Sequence, residues 1–487
     1  MNIHFCGIGG IGMSALARYC LSLGFSVSGS DSSDSDLTYE LKQEGVLWVN
    51  DKEVFSDQAD IFIYSEAISE DDIQRKYAKE NGIESFSYFQ YLGEISKNHK
   101  TIAVCGTHGK STTTAMLGIA LMRACINPLV IVGTKVKEFS GKNVCLPLKN
   151  KNSKGHDIFV VEACEYRASF LSLHPFAVIL TNCEHDHMDY YKTEKDYKEE
   201  FKKFVKKIPK EGFLVANFDD KNVKEVAQSA VCRVIPIYFS QLESPICPKV
   251  PGWHNQLNAQ VAYEAGMAIV DSESIKSVRS KSRKVEKPTS SLRDGESLMG
   301  MDPCLRGDDR NEYAQKILRE SLEQFSGTWR RFDILGEKGG ITVIDDYAHH
   351  PTAISVTLQA LEEFSKGRRI ILVFQPHQYS RTRELFHEFV DSFASSSFIK
   401  RELGGGDNSI KILITDIYEA RDTQEDKASV SSEILVEAIK KKGGNAEYSG
   451  DYKNTQKKLK TMLQKNDVLV TMGAGPINLI AEEFLKS

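Results

Sequence analysis

The apolar run "TIAVC" passes directly into "GTHGKS" and then into "TTTAMLGIALM". A strand, a glycine loop and a helix in that order commit this part of the chain to a βα unit of an α/β sheet. Gly106, Gly109, Lys110 and Ser111 follow the pattern G-x-x-G-K-[ST]. The longer phosphate loop would need glycine at position 104, where Val104 stands, so this loop is two residues short and carries His108 inside it. Its glycines let backbone N–H groups approach phosphate oxygens. Lys110 can neutralise β/γ charge, and Ser111 offers a hydroxyl to Mg²⁺. The expected ligand is ATP or GTP.

A second glycine pattern stands at the N-terminus. Gly7, Gly9 and Gly12 follow the strand-like "NIHFC" and open a helical stretch that ends at Gly24. Asp31 lies at the end of the next strand, where a dinucleotide fold places its ribose-binding acid. The arrangement seats a diphosphate on a helix N-terminus. It does not say whether that diphosphate belongs to NAD or to a nucleotide sugar. Ser65 falls just past a later buried strand, "ADIFIYSEAI", and a boundary is expected near Asn98.

Beyond the phosphate loop, "HDIFVVEACE" and "FAVILTNCEHDH" are apolar enough to be central strands of a covered parallel sheet. Ligands of such sheets bind at the carboxyl ends of the strands. Glu162 is therefore the carboxylate expected to join Ser111 on a metal, while Glu165 is placed beyond the strand end. His185, Asp186, His187 and Asp189 form a polar cluster. With no cysteine or third histidine at zinc spacing, a second Mg²⁺ contact or a transition-state stabiliser is preferred. In "GWHNQLNA", Asn255, Gln256 and Asn258 read either as contacts to a base edge or as helix caps.

With 487 residues the chain is long enough for two to four domains. A net charge of −5 gives no basic field for nucleic acid or anionic membrane. The Lys198–Lys210 run carries Phe201, Phe204, Val205 and Ile208 at helical spacing, so it reads as one face of an amphipathic helix. Ten cysteines stand singly, as in a reducing cytoplasm, and no apolar run reaches the length of a membrane span. Ser272–Asn311, poor in aromatic and branched apolar residues, is expected to be a disordered or loosely packed insertion. From about Gly327 a third unit alternates strand and helix. "DDYAHHPT" and "FQPHQYSRTR" each lie just past a strand, and "ELGGGDNS" reads as a surface loop.

The order of GIGGIGMSALA, GTHGKSTTTAML, TNCEHDHMDYY, GWHNQLNA, GTWRRFDILGE, DDYAHHPT, FQPHQYSRTR and MGAG resembles the Mur ligases of peptidoglycan synthesis, over nearly the whole chain outside 272–311. The resemblance implies an α/β chain of three domains. These are a Rossmann-like UDP-binding domain at 1–98, a central phosphate-loop ATPase with a mainly parallel sheet at 99–326, and a Rossmann-like ligase domain at 327–487. Gly7, Gly9, Gly10, Gly12, Asp31 and Ser65 would line the UDP-sugar site. Gly106, Thr107, His108, Gly109, Lys110, Ser111 and Thr112 would hold ATP together with His254, Asn255, Asn258, Arg331 and Asp346. Ser111, Glu162 and His187 would ligate Mg²⁺, and His349, His377 and Arg381 would form the amino-acid pocket. The implied reaction joins L-alanine to UDP-N-acetylmuramate through an acyl phosphate, with domain closure assembling the site in a cytoplasmic monomer or homodimer.

Three positions depart from the family pattern. "EACEYRASF" stands for an acidic run, keeping Glu162 and Glu165 but bringing in Cys164 and Arg167. Gln378 replaces an arginine held to recognise the amino-acid carboxylate, which leaves Arg381 for that task, and Glu66 replaces a common serine. A recycling ligase that attaches a tripeptide is the near alternative. An NAD-dependent oxidoreductase would leave Lys110, Ser111, Glu162 and His187 without a purpose, and so would a silent sugar-nucleotide binder.

Overall fold

The computed structural model describes all residues except 57, 148–157, 281–306, 395–409, 421 and 487. It contains three sheets in two compact units, one of residues 1–248 with 257–325 and the other of 249–256 with 326–487.

The first unit holds two sheets. Strands β1 (Asn2–Cys6), β2 (Ser26–Ser30), β3 (Leu47–Trp48), β4 (Ile61–Tyr64) and β5 (Glu84–Ser87) form a parallel sheet in the order β3-β2-β1-β4-β5. The order turns back at β1, so the glycine loop after β1 and Ser65 after β4 lie at a topological switch point. The chain leaves this sheet through the helix Tyr88–Lys97 and enters the next at Lys100.

Strands β6 (Lys100–Cys105), β7 (Leu129–Val136), β8 (Lys142–Cys145), β9 (Ile158–Glu162), β10 (Ala177–Leu180), β11 (Phe213–Asn217) and β12 (Arg233–Ile237) are ordered β12-β11-β10-β6-β9-β7-β8. All pairs are parallel except β7 with β8. β6 is central because both its faces are covered: Thr101 to Cys105 are all buried, as are the four residues of β10. The helix Lys110–Arg123 is buried from Ser111 through Leu121, which explains why its sequence shows no polar stripe.

One hydrophobic core runs beneath both sheets, from Ile3, Phe5 and Leu16 through Ala103 and Leu129 to Val144, Val178 and Phe201. Asn143 on β8, fully buried, joins them with polar contacts. Its amide donates to the Ile11 carbonyl and, at 3.1 Å, to Ser14 Oγ. Its oxygen accepts from Arg18 at 3.0 Å, and Arg18 in turn pairs with Glu40 and Glu44 at 2.8 Å each. Every member of this buried network has a partner, as burial of polar groups requires.

The lysine-rich run lies on the helix Glu194–Lys206, with Tyr197, Phe201, Phe204 and Val205 buried. Lys198 and Lys202 on its outer side pair with Glu225 at 2.7 and 2.8 Å, so this face is a solvated one. The expected insertion differs at its ends. The helix Trp253–Ser280 runs through 272–280, and the helix Gly307–Glu323 includes 307–311. "SESIKSVRS" contains neither glycine nor proline, so nothing stops the helix there. The rest of that segment, and the "ELGGGDNS" loop, lie outside the described residues.

The second unit contains β13 (Asp333–Lys338), β14 (Ile341–Asp346), β15 (Ile370–Phe374), β16 (Ile410–Thr415), β17 (Ala446–Gly450) and β18 (Val468–Met472) in the order β13-β14-β18-β15-β16-β17. Only the β13–β14 pair is antiparallel. β14 and β15 flank β18, which brings the polar loops after them to the same end of the sheet. Among the described residues no helix is long and apolar enough to cross a membrane.

Candidate active site

The phosphate loop is held open by its neighbours. Gly106 has φ +134°, and a Cβ there would overlap Thr181 Oγ1. Gly109 has φ +82°, and a Cβ there would stand 2.5 Å from Asn258 Oδ1. Thr181 donates to the His108 carbonyl at 2.6 Å, and Asn182 accepts the His108 N–H at 2.8 Å. The His108 ring meets Glu184 at 3.0 Å. This gives the imidazole the role the sequence did not reveal: it ties the shortened loop to the segment after β10. The helix that follows begins at Lys110 with no side-chain cap, whereas the helices at Asp36, Ile73, Tyr88 and Glu194 are capped by Ser35, Asp72, Ser87 and Thr193. Its first-turn N–H groups, with Thr112 buried among them, are left to an anion.

Gly106→Ala therefore forces both a strained backbone and a clash. We expect ATP affinity to fall at least about tenfold, read by titration calorimetry, with the circular dichroism spectrum unchanged.

Glu162 closes β9 beside the loop. Its Oε1 accepts from Ser111 Oγ at 2.9 Å and its Oε2 from the Gly133 N–H at 2.7 Å. A hydroxyl and a carboxylate placed together at a phosphate loop are the hard oxygen donors that Mg²⁺ takes, so the donor set fits that ion.

Lys110 donates to the Gly106 and Thr107 carbonyls at 2.6 and 3.0 Å and to Glu165 at 2.9 Å. Burial alone would lower the Lys110 pKa, but the Glu165 carboxylate holds it above the ordinary lysine value. Burial likewise would raise Glu165, yet Lys110 and His187 hold it below the usual glutamate value. His187 Nε2 stands 3.6 Å from Glu165 Oε1. The residue has φ +56°; the Asp186 carboxylate accepts its N–H at 2.7 Å, and its carbonyl accepts from Tyr190 and Tyr191. His185 instead bonds the Tyr191 carbonyl at 3.0 Å and Asp189 meets Tyr166 at 2.9 Å, so both serve the loop. Glu165 lies past the end of β9, as expected, and its carboxylate still reaches Lys110. Its carbonyl is held there by the Tyr191 hydroxyl and, at 2.9 Å, by the Ala168 N–H.

At the first glycine loop, Asp31 Oδ2 accepts the Gly9 N–H at 2.8 Å, and Ser65 Cβ lies 3.0 Å from where a Cβ on Gly7 would be. Gly10 caps the helix Ile11–Ser22 without a side-chain bond, and Gly12 leaves room for the Tyr88 ring. The predicted Gly7, Gly9, Gly10, Gly12, Asp31 and Ser65 thus share one place.

In the second unit, His349 and His377 approach to 5.9 Å between ring centroids, and Arg381 meets His377 Nδ1 at 3.3 Å. His377 also stacks on Tyr418 at 5.5 Å. Gln378, in place of the expected arginine, gives its amide to the Ala420 carbonyl at 2.9 Å, a bond that fixes the loop. Asp346 is more deeply used than its sequence position suggested. Its carboxylate accepts from the Phe332 and Ala348 N–H groups at 2.7 and 2.8 Å and from Thr357 at 3.3 Å. Arg331 lies over Tyr347 at 4.8 Å. His254 neighbours Gly252, and Asn255, in the first turn of the helix Trp253–Ser280, donates its amide to the Pro251 carbonyl at 2.8 Å, whereas Asn258 on the same helix leans on Gly109.

An uncapped glycine loop at one switch point, and a Gly-Lys-Ser loop with an adjoining carboxylate at the next sheet, define a nucleotide-using enzyme of the α/β class. The chain belongs to the Mur ligase family, whose members are ATP-dependent ligases. Models of the family's catalytic domain, middle domain and glutamate ligase domain match residues 2–100, 104–246 and 330–475. A UDP-N-acetylmuramate–L-alanine ligase of Clostridium acetobutylicum is 36% identical, with 99% of this chain and 97% of that protein aligned. The crystal structure of a UDP-N-acetylmuramate–alanine ligase from Thermotoga maritima superposes with a TM-score of 0.69 at 24% identity, covering 100% of this chain and 98% of that one. A murein peptide ligase from Psychrobacter arcticus gives 0.63 at 22% identity, covering 100% and 98%, so the fold is common to both.

Proposed function

We propose that this enzyme joins L-alanine to UDP-N-acetylmuramate in the cytoplasm, converting ATP to ADP and phosphate. The observation that carries this reading is the 36% identity, end to end, with a relative named for that reaction. In the first step a carboxylate oxygen of the muramyl lactate attacks the γ-phosphorus; the bond to the β,γ-bridging oxygen breaks and ADP leaves. The alanine amine then adds to the acyl phosphate carbonyl. The tetrahedral intermediate loses phosphate, and the amine proton goes to solvent. Ser111 and Glu162, with His187 for a second ion, would hold Mg²⁺, which supplies charge neutralisation between two anions when bound. The chain's own part is to remove repulsion. Lys110 and the uncapped N–H groups of the helix Lys110–Arg123 face the triphosphate, while the first glycine loop anchors the UDP diphosphate away from the reacting carboxylate. Arg381, beside His377, is the cation suited to the alanine carboxylate.

The test is phosphate release with ATP, Mg²⁺, UDP-N-acetylmuramate and one acceptor at a time. Release with L-alanine and not with the tripeptide is expected. Release with the tripeptide alone would make this a recycling ligase, and none with any amino acid or peptide would end the ligase reading.

A further inference from the structure

A lysine ammonium has three N–H donors. Those of Lys110 are met by the Gly106 carbonyl, the Thr107 carbonyl and the Glu165 carboxylate, all inside its own site. The side chains of this ion pair are 14% and 1% exposed, so water screens it little. Glu165 is itself fixed. Its backbone carbonyl accepts from Tyr191 at 2.5 Å, and its carboxylate lies 3.5 Å from the Tyr197 hydroxyl, which bonds Thr107 Oγ1 at 3.0 Å. The same carboxylate oxygen faces His187 Nε2 at 3.6 Å. Glu165 thus touches the phosphate-loop lysine on one side and the histidine at the end of the β10 segment on the other, and nothing in the proposed chemistry uses it.

We infer that Glu165 is a positioning residue that holds Lys110 back against its own loop until ATP arrives, then orients His187 once the lysine has moved to the phosphates. This rests on the reading that Lys110 contacts the nucleotide. The carboxylate and the triphosphate compete for one ammonium, so binding affinity is given up to hold the lysine on its own loop. When ATP takes Lys110, Glu165 loses its cation and is left with the Tyr197 hydroxyl at 3.5 Å and, at 3.6 Å, the one ring nitrogen it faces, His187 Nε2. The two roles pull a variant in opposite directions, which a purely structural residue does not do.

Glu165→Gln in the full-length enzyme is expected to tighten ATP binding about three- to tenfold, measured calorimetrically with Mg²⁺, while kcat for L-alanine ligation falls about ten- to a hundredfold. Glu165→Asp, which keeps the charge but withdraws it by one methylene, should fall between, and it carries the test if the glutamine variant does not fold. In a Lys110→Ala background, Glu165→Gln should no longer change ATP affinity. Weaker or unchanged ATP binding in Glu165→Gln would overturn the inference, as would an equal gain in the Lys110→Ala background. If Lys110→Ala alone binds ATP as the unaltered enzyme does, it is the assignment of Lys110 to the nucleotide that fails, and the inference with it.

Discussion

Lys110→Ala is expected to lower turnover about a thousandfold while leaving UDP-N-acetylmuramate affinity within about threefold. A thousandfold corresponds to roughly 4 kcal/mol of transition-state stabilisation, a reasonable loss for the one cation placed in a water-poor phosphate loop. The loss should be confined to ATP chemistry because the two phosphate sites stand on different sheets: the glycine loop follows β1, and Lys110 follows β6. Phosphate release gives the first quantity and calorimetric titration with UDP-N-acetylmuramate gives the second. Parallel loss of both would mean that the sites are not separable.

Arg330→Ala is expected to destabilise the second unit by about 3–5 kcal/mol, because it leaves a buried acid without its cation. The Arg330 guanidinium donates to Asp345 at 2.8 Å and to the Gly473 carbonyl at 2.6 Å, with side-chain exposures of 8% and 1% for the ion pair. Burial pushes the Asp345 pKa up to about 6, against the downward pull of Arg330 and of the Thr471 hydroxyl. The folded state therefore holds a proton that the unfolded state has lost between about pH 4 and 6, and this group's contribution to stability falls as pH rises through that window. Removing Arg330 deepens the penalty on the ionised form. The shift in urea midpoint should thus be larger at pH 7 than at pH 4.5. A shift that is equal or larger in acid would remove the ion pair as its cause.

Local order made much of the fold legible. Each phosphate site is a strand, a loop and a helix within some twenty residues, and that adjacency survives folding whatever the rest of the chain does. The polar clusters after β14 and β15 were readable for the same reason, since polar residues just past an apolar strand fall at a sheet end. The contacts that tertiary structure decides were not readable. Glu165 meets Lys110 across 55 residues of chain, and its carbonyl is held by the Ala168 N–H and the Tyr191 hydroxyl, contacts that no local pattern announces. The Asp346 carboxylate accepts two backbone N–H groups, one of them from Phe332 fourteen residues earlier, which its place after an apolar strand does not announce. Nothing in "KNVC" marks Asn143, because a four-residue edge strand gives no hint that one amide is buried against a helix far away in the chain.

That amide has a thermodynamic meaning. Phe5 and Leu16 share a core with Leu129 and Val144, and Asn143 knots the helix after the first glycine loop to β8. The first 98 residues are consequently no detachable module; cutting there would bare an apolar surface on both pieces. The first two sheets are expected to melt in one transition, so a ligand seated at either of their glycine loops would raise by mass action the melting temperature of both.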